Sequence, residues 1–249
     1  DAAGEPMRVA LAPWLDIECA GLDRFEALLQ PAIEQALEPL ASPQARDLRV
    51  ALALGLPSSR PGLVPDLDGL LRATIASRLP NRFVALATFP VGHAGGLLGL
   101  HAAWRKLADG AFDACVVAGV ESYLAPETLE WLEEQDQLHG AGRLNNAWGF
   151  IPGEGAGAVL VVSETVVEQL KIDALARVLS VGKGFEENRI KTETVCIGEG
   201  LTAAFRDGLA GLPPGAQVTD VVCDMNGEPY RADECGFAAL RTTEAFVSA

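Results

Sequence analysis

The sequence predicts a layered α/β fold in which a β-sheet carries helices on both faces. Apolar runs of strand length alternate with longer stretches whose apolar residues recur three and four apart. Within the runs, successive positions are apolar rather than every second one. A strand facing water on one side would alternate, so unbroken apolar strands require cover on both faces. The chain has 249 residues, 49% hydrophobic and 21% charged, enough to bury a sizeable core.

Taken in order, residues 7–12 (MRVALA) are a short strand candidate, followed by a helical stretch over 22–40 around Pro31. Residues 48–54 are the next strand. A helix over 66–79 follows Pro65, with Asp66 or Asp68 placed to accept from its free N–H groups. Residues 84–89 read as strand, 94–107 as helix and 114–119 as strand, giving the order β, α, β, α, β. After Pro126, ETLEWLEEQDQL predicts an acidic helix with Leu129 and Leu132 on its inner side. Then come a strand over 156–162, another over 175–181, a helix over 201–209, a strand over 218–223 and a last helix over 232–246. Leu212-Pro-Pro-Gly215 is the clearest loop, and residues 184–198, with no clean period, also read as loop.

Charge and cysteine usage exclude several functions. With 34 acidic against 19 basic residues the net charge is −15, a field that repels phosphate backbones and anionic membranes. No nucleic-acid or membrane partner is expected. Cys19, Cys115, Cys196, Cys223 and Cys235 are widely spaced, with no C-x-x-C pair and no His at ligand spacing. They read as reduced thiols of a cytoplasmic protein with no metal site, Cys115 and Cys223 lying in apolar runs as small buried hydrophobes. The opening DAAGEPM has no basic start before an apolar stretch, so no secretory signal is expected, and the missing initiator Met suggests a fragment. Residues 83–104 carry no Asp, Glu, Lys or Arg, but Pro90 and glycines 92, 95, 96 and 99 divide them. A buried strand, turn and helix account for that run better than a membrane span.

That uncharged run contains the first candidate for chemistry. In open α/β sheets reactive groups gather where a strand turns into a helix, and His93 occupies such a tip in ATFPVGHAGGLLGL. Beside a helix N-terminus its neutral form is favoured, able to accept a proton or a hydrogen bond. His101 reads as a packing or surface residue and His139 as a solvated loop residue. The glycines lack G-x-G-x-x-G spacing, so no dinucleotide cofactor is expected. No G-x-S-x-G supplies a hydrolase serine. Gly153-Glu-Gly-Ala-Gly157 leads into a strand, not into a helix that would hold a phosphate.

Taken together, FPVGHAGGLLGLHAAWRKLADGAFDACVVAGVES and GRLNNAWGFIPGEGAGAVLVV resemble the β-ketoacyl-acyl-carrier-protein synthases (3-oxoacyl-ACP synthases) of the thiolase superfamily. In that family a strand enters an elbow carrying a nucleophilic Cys, followed by a helix rich in small residues. A strand ending in small-Gly-x-Glu-Ser comes next, then a GF-x-x-GEGAG signature opening another strand. Residues 113–122 and 149–162 match closely, the resemblance runs over residues 46–240, and residues 1–45 fit loosely. It implies the layered αβαβα thiolase fold in a single ketosynthase-like domain, with residues 1–163 as the first half and 164–249 as an incomplete second half.

The departures bear on function. On this resemblance His93 stands where the family has its acyl-accepting Cys, and Asn226, in NGEP, stands where it has its first catalytic His. Glu154 matches the family's Glu in GEGAG, a structural residue near the site. The chain stops at Ala249, short of the family's second catalytic His, Lys and Gly-rich oxyanion loop. Asn145 and Asn146 stand where Asp is common. Condensation needs an enzyme thioester and donors for the developing enolate; acyl-imidazole hydrolyses readily, and Asn exchanges no proton near neutrality. The resemblance therefore implies a protein that does not condense by the Cys route and serves as an acyl-binding or partner subunit. The alternative is an acyltransferase or malonyl-thioester decarboxylase using His93. Implied partners are an acyl thioester or acyl-carrier protein, met by Arg143, Lys183, Arg189, Lys191 and Arg231, although the net charge of −15 opposes an acidic carrier. The family's dimer pairs the strand before the elbow, here Phe83 to Phe89, which implies a homodimer or a heterodimer with a ketosynthase relative. A plain Rossmann-like binding protein is the poorer third reading.

Overall fold

A computed structural model describes residues 4, 6–140, 146–189 and 193–247. By internal contacts the chain forms two compact units. The first, here the sheet unit, comprises Arg8–Leu132 and Pro152–Ala176; the second, the helical unit, comprises Asp1–Met7, Glu133–Ile151 and Arg177–Ala249.

The sheet unit is built on four strands, β1 (Val50–Gly55), β2 (Ala85–Phe89), β3 (Ala114–Ser122) and β4 (Glu154–Val162), in the order β2-β1-β3-β4. β1 pairs in parallel with β2 and β3, and β4 runs antiparallel to β3. Every residue of β1 is buried, as an apolar run with cover on both faces requires. Because side chains alternate across a strand, Leu52 and Leu54 of β1 and Val116, Ala118 and Val120 of β3 meet one helical layer. That layer is α1 (Gly21–Leu37), through Phe25, Leu28, Leu29 and Ile33, and α2 (Leu67–Arg78), through Leu67, Leu71 and Ile75. Ala51, Ala53, Cys115 and Val117 meet Ala103 of α3 (Gly95–Ala108) on the other face.

Local signals explain most boundaries. Asp66, not Asp68, caps α2, its Oδ1 accepting from Gly69 N at 3.3 Å; Asp68 instead accepts from Arg72 Nε at 2.7 Å. Pro31 does not end α1, since Leu28, Leu29 and Ile33 hold both sides of it in the core. α4 (Pro126–Glu134) buries Leu132 and Thr128, while Leu129 is half-buried. A helix the pattern did not give, α5 (Glu164–Leu170), starts at Ser163, whose Oγ accepts from Val166 N.

Several expectations are corrected. Residues 7–12 form no strand: Ala10 makes an isolated bridge to Gly153, and the pairing goes no further because Ala12 N donates to the Glu154 carboxylate instead of a strand carbonyl. β2 is an edge strand rather than an interior one, with Ala85 and Ala87 exposed. Residues 175–181, which pass from the sheet unit into the helical unit at Arg177, form no strand, and Leu175 is fully exposed. Beyond them Gly182 and Gly184 lie so close to the backbone of α6 (Glu199–Ala210), at Ala204, Gly208 and Gly200, that neither position has room for a Cβ. The chain there packs on a helix instead of joining a ladder. Residues 218–223 also form no strand beyond a bridge from Val218 to Phe246, and Val222 is 98% exposed. Cys223 is exposed, not buried, for the same reason. The last helix, α7 (Pro229–Arg241), begins three residues earlier than its period indicates because Pro229 sets its first turn.

Candidate functional site

The carboxyl end of the sheet is shaped by the turn between β2 and α3. Leu56 N donates to Phe89 O at 3.0 Å and Gly92 N donates to Leu56 O at 3.0 Å, tying the end of β1 to the elbow. Gly92 has φ +66, a left-handed conformation that suits glycine, and its Cβ position faces Ser58 Oγ. A Cβ on Gly55 would meet Gly96 N at 2.5 Å, and one on Gly95 would meet Phe89 O at 2.6 Å. These two glycines therefore let the first turn of α3 lie backbone against backbone on β1. His93 sits in the short 3-10 turn Gly92–Ala94 between the strand and the helix, and is exposed. The elbow expected from the sequence is present, on an edge strand.

No cysteine occupies that elbow. Cys115 lies in β3, 1% exposed, and burial pushes its thiol up to about 12, only partly offset by a backbone hydrogen bond from Ala53. Cys19, Cys196 and Cys235 are half-buried elsewhere and Cys223 is exposed in the helical unit.

Glu154 opens β4 at the same end of the sheet as His93, since β4 runs antiparallel, but three strand spacings of about 4.8 Å, roughly 14 Å, separate its strand from β2. Its carboxylate is fully buried and saturated with donors: Arg24 Nε at 2.5 Å, Arg24 Nη2 at 2.7 Å, Ala12 N at 2.9 Å and Ser122 Oγ at 3.1 Å. Burial alone would raise its pKa, but the Arg24 guanidinium, with the Ala12 N–H and the Ser122 hydroxyl, holds it below the usual carboxylate range. Arg24, whose own pKa is raised by the bond to Glu154, also donates to the carbonyls of Asp16 and Cys19. The pair thus staples the segment before α1 onto β4. Sequence reading missed Arg24, although a charge four residues before buried Leu28 in an amphipathic helix marks it.

Between these positions, at the end of β3, Arg60 makes a second, half-buried ion pair. Its Nη2 donates to Glu121 Oε1 at 2.5 Å and to Ser122 O at 2.8 Å, and its guanidinium lies 4.5 Å over the Tyr123 ring. Glu121 and Ser122 are the last residues of the Gly-x-Glu-Ser segment. Nothing in the local pattern indicated that Arg60, in a loop, would be their partner.

Asn226 belongs to the helical unit and is described there by itself. Its Oδ1 accepts from Glu228 N at 3.2 Å, an Asx turn, and its Nδ2 donates to Glu228 Oε2 at 2.9 Å. Glu228 is buried, accepts from Gln137 Nε2 at 3.1 Å, and lies 3.6 Å from Arg231 Nε. NGEP therefore works as a helix-entry device: Asn226 closes the turn, Gly227 adopts φ +105, and Pro229 begins α7.

Of the remaining expected residues, His101 is half-buried on α3, and His139 is half-buried rather than solvated, its Nδ1 3.3 Å from Ala147 O. Arg231 is bound to Asp224 at 2.6 Å and Lys183 and Arg189 lie in the helical unit, whereas Arg143, Lys191 and Asn145 fall outside the described residues. Asn146 Oδ1 accepts from Trp148 N at 2.9 Å. The fold also gathers Glu186, Cys196 and Glu234, whose ligand atoms lie within 4.8 Å of one another. Glu186 already accepts from Gly200 N at 2.8 Å at the start of α6, and Cys196 Sγ donates to Glu234 Oε1 at 3.2 Å. Among the described residues no helix is long and apolar enough to cross a membrane.

Comparison with known proteins bears on the sheet unit above all. Residues 92–166 match the family described as Beta-ketoacyl synthase, N-terminal domain. The polyketide synthase PksL of Bacillus subtilis (strain 168) is 33% identical over 122 residues, covering 43% of this chain and 3% of that protein. Among solved structures, a type II PKS acyl-carrier protein in complex with its ketosynthase matches with a TM-score of 0.71 at 15% identity, covering 92% of this chain and 64% of that one. The ketosynthase from module 6 of the bacillaene synthase from Bacillus subtilis 168 matches with a TM-score of 0.68 at 18% identity, over 91% of this chain and 42% of the other. A β-ketoacyl synthase from Burkholderia phymatum STM815 matches with a TM-score of 0.65 at 14% identity, over 97% and 69%. The chain thus spans a small part of the curated relative and less than two thirds of the first two ketosynthase structures. With the motif order, the elbow and the sheet in agreement, residues 92–166 match the N-terminal domain family of the β-ketoacyl synthases, and the chain has the fold of the solved ketosynthases.

Proposed function

We propose that this ketosynthase-like chain of the fatty-acid and polyketide synthase type does not condense acyl groups through a cysteine thioester, and acts as an acyl-binding or partner subunit. The observation that carries the reading is an exposed imidazole, His93, at the strand-to-helix elbow, with the nearest cysteine of the sheet, Cys115, buried in β3. The reaction needs a nucleophile that stores the acyl group, and a buried thiol pushed up to about 12 cannot present a thiolate there. Asn226, locked in its turn with Glu228, supplies no exchangeable proton.

The partner reading rests on β2. This edge strand carries exposed Ala85 and Ala87, and Val84, Val91 and Leu97 beside it are 59%, 49% and 65% exposed. A strand edge with no charged residue of its own between Val84 and Phe89, although Arg72 donates to Leu86 O and to Thr88 Oγ1, is a template for pairing with a second chain, through residues Phe83 to Phe89, either in a homodimer or with a ketosynthase relative. An acyl-carrier protein is the second partner, in line with the neighbour solved in complex with one.

The decisive experiment incubates the chain with acyl and malonyl thioesters and follows covalent mass and CO2 release. No acyl-enzyme and no turnover are expected, with His93→Ala unchanged. Turnover abolished by His93→Ala would establish instead the acyltransferase or decarboxylase reading. For the partner, Ala85→Lys should shift the mass measured by light scattering to that of a monomer; a wild-type chain already monomeric alone and with a ketosynthase relative removes this part.

A further inference from the structure

We propose that the cleft between α1 and α2 is a binding site for a small aliphatic ammonium ion. Both helices belong to the sheet unit, and the positions that line the cleft recur three and four apart on each, from 26 to 34 on α1 and from 71 to 79 on α2. Buried Leu29, Ile33, Leu71 and Ile75 make its floor. The space left between the helices is about 220 Å³. An apolar void of about 150 Å³ holds a benzene-sized molecule, and residues 26 to 34 cover only about 12 Å of helix. A short alkyl chain fits that space; a docked helix or a drug-sized ligand needs more.

The rim decides the charge of the ligand. Its basic residue, Arg78, is already engaged: Nη2 donates to Glu26 Oε2 at 3.0 Å and Nη1 to Gln30 Oε1 at 3.2 Å, tying α2 to α1 across the cleft. Thr74 Oγ1 donates to the other Glu26 oxygen at 2.6 Å. Glu34, exposed and one turn beyond Gln30, accepts from Gln30 Nε2 at 2.7 Å and makes no ion pair among the described residues. Its carboxylate is therefore open to a cation. The helix ends add to this. Glu34 stands in the last turn of α1, which holds no basic residue, and α2 ends at Arg78 with Leu79 lining the same cleft. Helix C-termini carry negative partial charge, so an apolar floor and a negative mouth meet in one place, complementary to an alkyl tail with a cationic head. The inference is independent of the ketosynthase reading, as it uses neither the elbow nor the edge strand.

The test titrates the full chain at low salt with hexylammonium, hexanol and hexanoate and follows the isoleucine methyl groups by NMR. Saturable shifts are expected at Ile33 and Ile75, with Ile172 and Ile197 unmoved, and a Kd for hexylammonium of about 1 mM or below. Hexanol should bind about threefold more weakly and hexanoate about tenfold, the spread that one exposed carboxylate gives. Glu34→Gln should erase the preference for hexylammonium over hexanol and leave hexanol binding as it was; Glu34 is exposed, so this variant keeps the fold. The proposal is overturned by shifts at Ile172 or Ile197 as large as those at Ile33 and Ile75, by hexanoate binding as tightly as hexylammonium, or by a preference that survives Glu34→Gln. Absence of saturation about twentyfold above that Kd overturns it as well.

Discussion

The sheet unit and the helical unit put similar apolar runs to opposite use. VALALG in β1 is buried along its whole length, between parallel neighbours and under helices on both faces. VTDVVC of the helical unit, and LARVLSV, which begins in the sheet unit and passes into the helical unit at Arg177, are just as strand-like in composition, yet Val222 and Leu175 stand at 98% and 102% exposure and neither run forms a strand. The difference shows that β-propensity states only that a segment fits a pleated, half-covered surface; pairing partners decide whether that surface exists.

Hydrogen exchange offers the sharpest way to break this contrast. Amides of β1 and β3 should exchange only through global unfolding, on the order of 5–15 kcal/mol, and those of residues 175–181 and 219–223 with almost no protection. Comparable protection in both units would end the comparison. Next in size is the Arg24–Glu154 pair. Glu154→Ala leaves Arg24 buried without its partner and should cost about 3–5 kcal/mol in urea unfolding. Because the folded-state pKa of Glu154 is lowered, the stability from its charge is complete above the ordinary carboxylate value and is lost as pH falls through the lowered one. Glu154→Gln should accordingly flatten the acid limb of a stability-against-pH curve.

Leu54→Ala, at a position with no exposure, is expected to cost about 2–5 kcal/mol through lost burial and a residual cavity. The matched truncation Val222→Ala, at an exposed site in the helical unit, should stay within about 0.5 kcal/mol. A Val222→Ala cost comparable to Leu54→Ala would mean that the segment is packed in solution.

Part of the candidate site was legible in the residues. The elbow at His93 was foreshadowed by a strand pattern, Pro90 and a run of glycines, because a tight turn followed by close helix packing leaves a local signature. Glu154 was found through its motif, but its partner Arg24 lies 130 residues away and only folding joins them. Arg60 and Glu121 are a similar case, 61 residues apart. Asn226 was located by resemblance, and its turn with Glu228 follows from an Asx residue two positions before a Pro-initiated helix. β2 was misplaced in the interior because its apolar character says nothing of whether another strand lies beside it.

By itself the sequence determined the alternation of strands and helices over residues 21–162, the glycine-dependent elbow and the absence of a thiol at residue 93. All of these depend on dihedral preference, side-chain period or residue identity, which act over a few positions. Tertiary structure alone decided which strand stands at the edge, which apolar runs remain unpaired, and which distant arginine pairs with Glu154 and with Glu121. Those outcomes arise from hydrogen bonds, desolvation and Coulomb attraction between groups far apart along the chain, and the energy of such contacts exists only once the fold has brought them within a few ångströms.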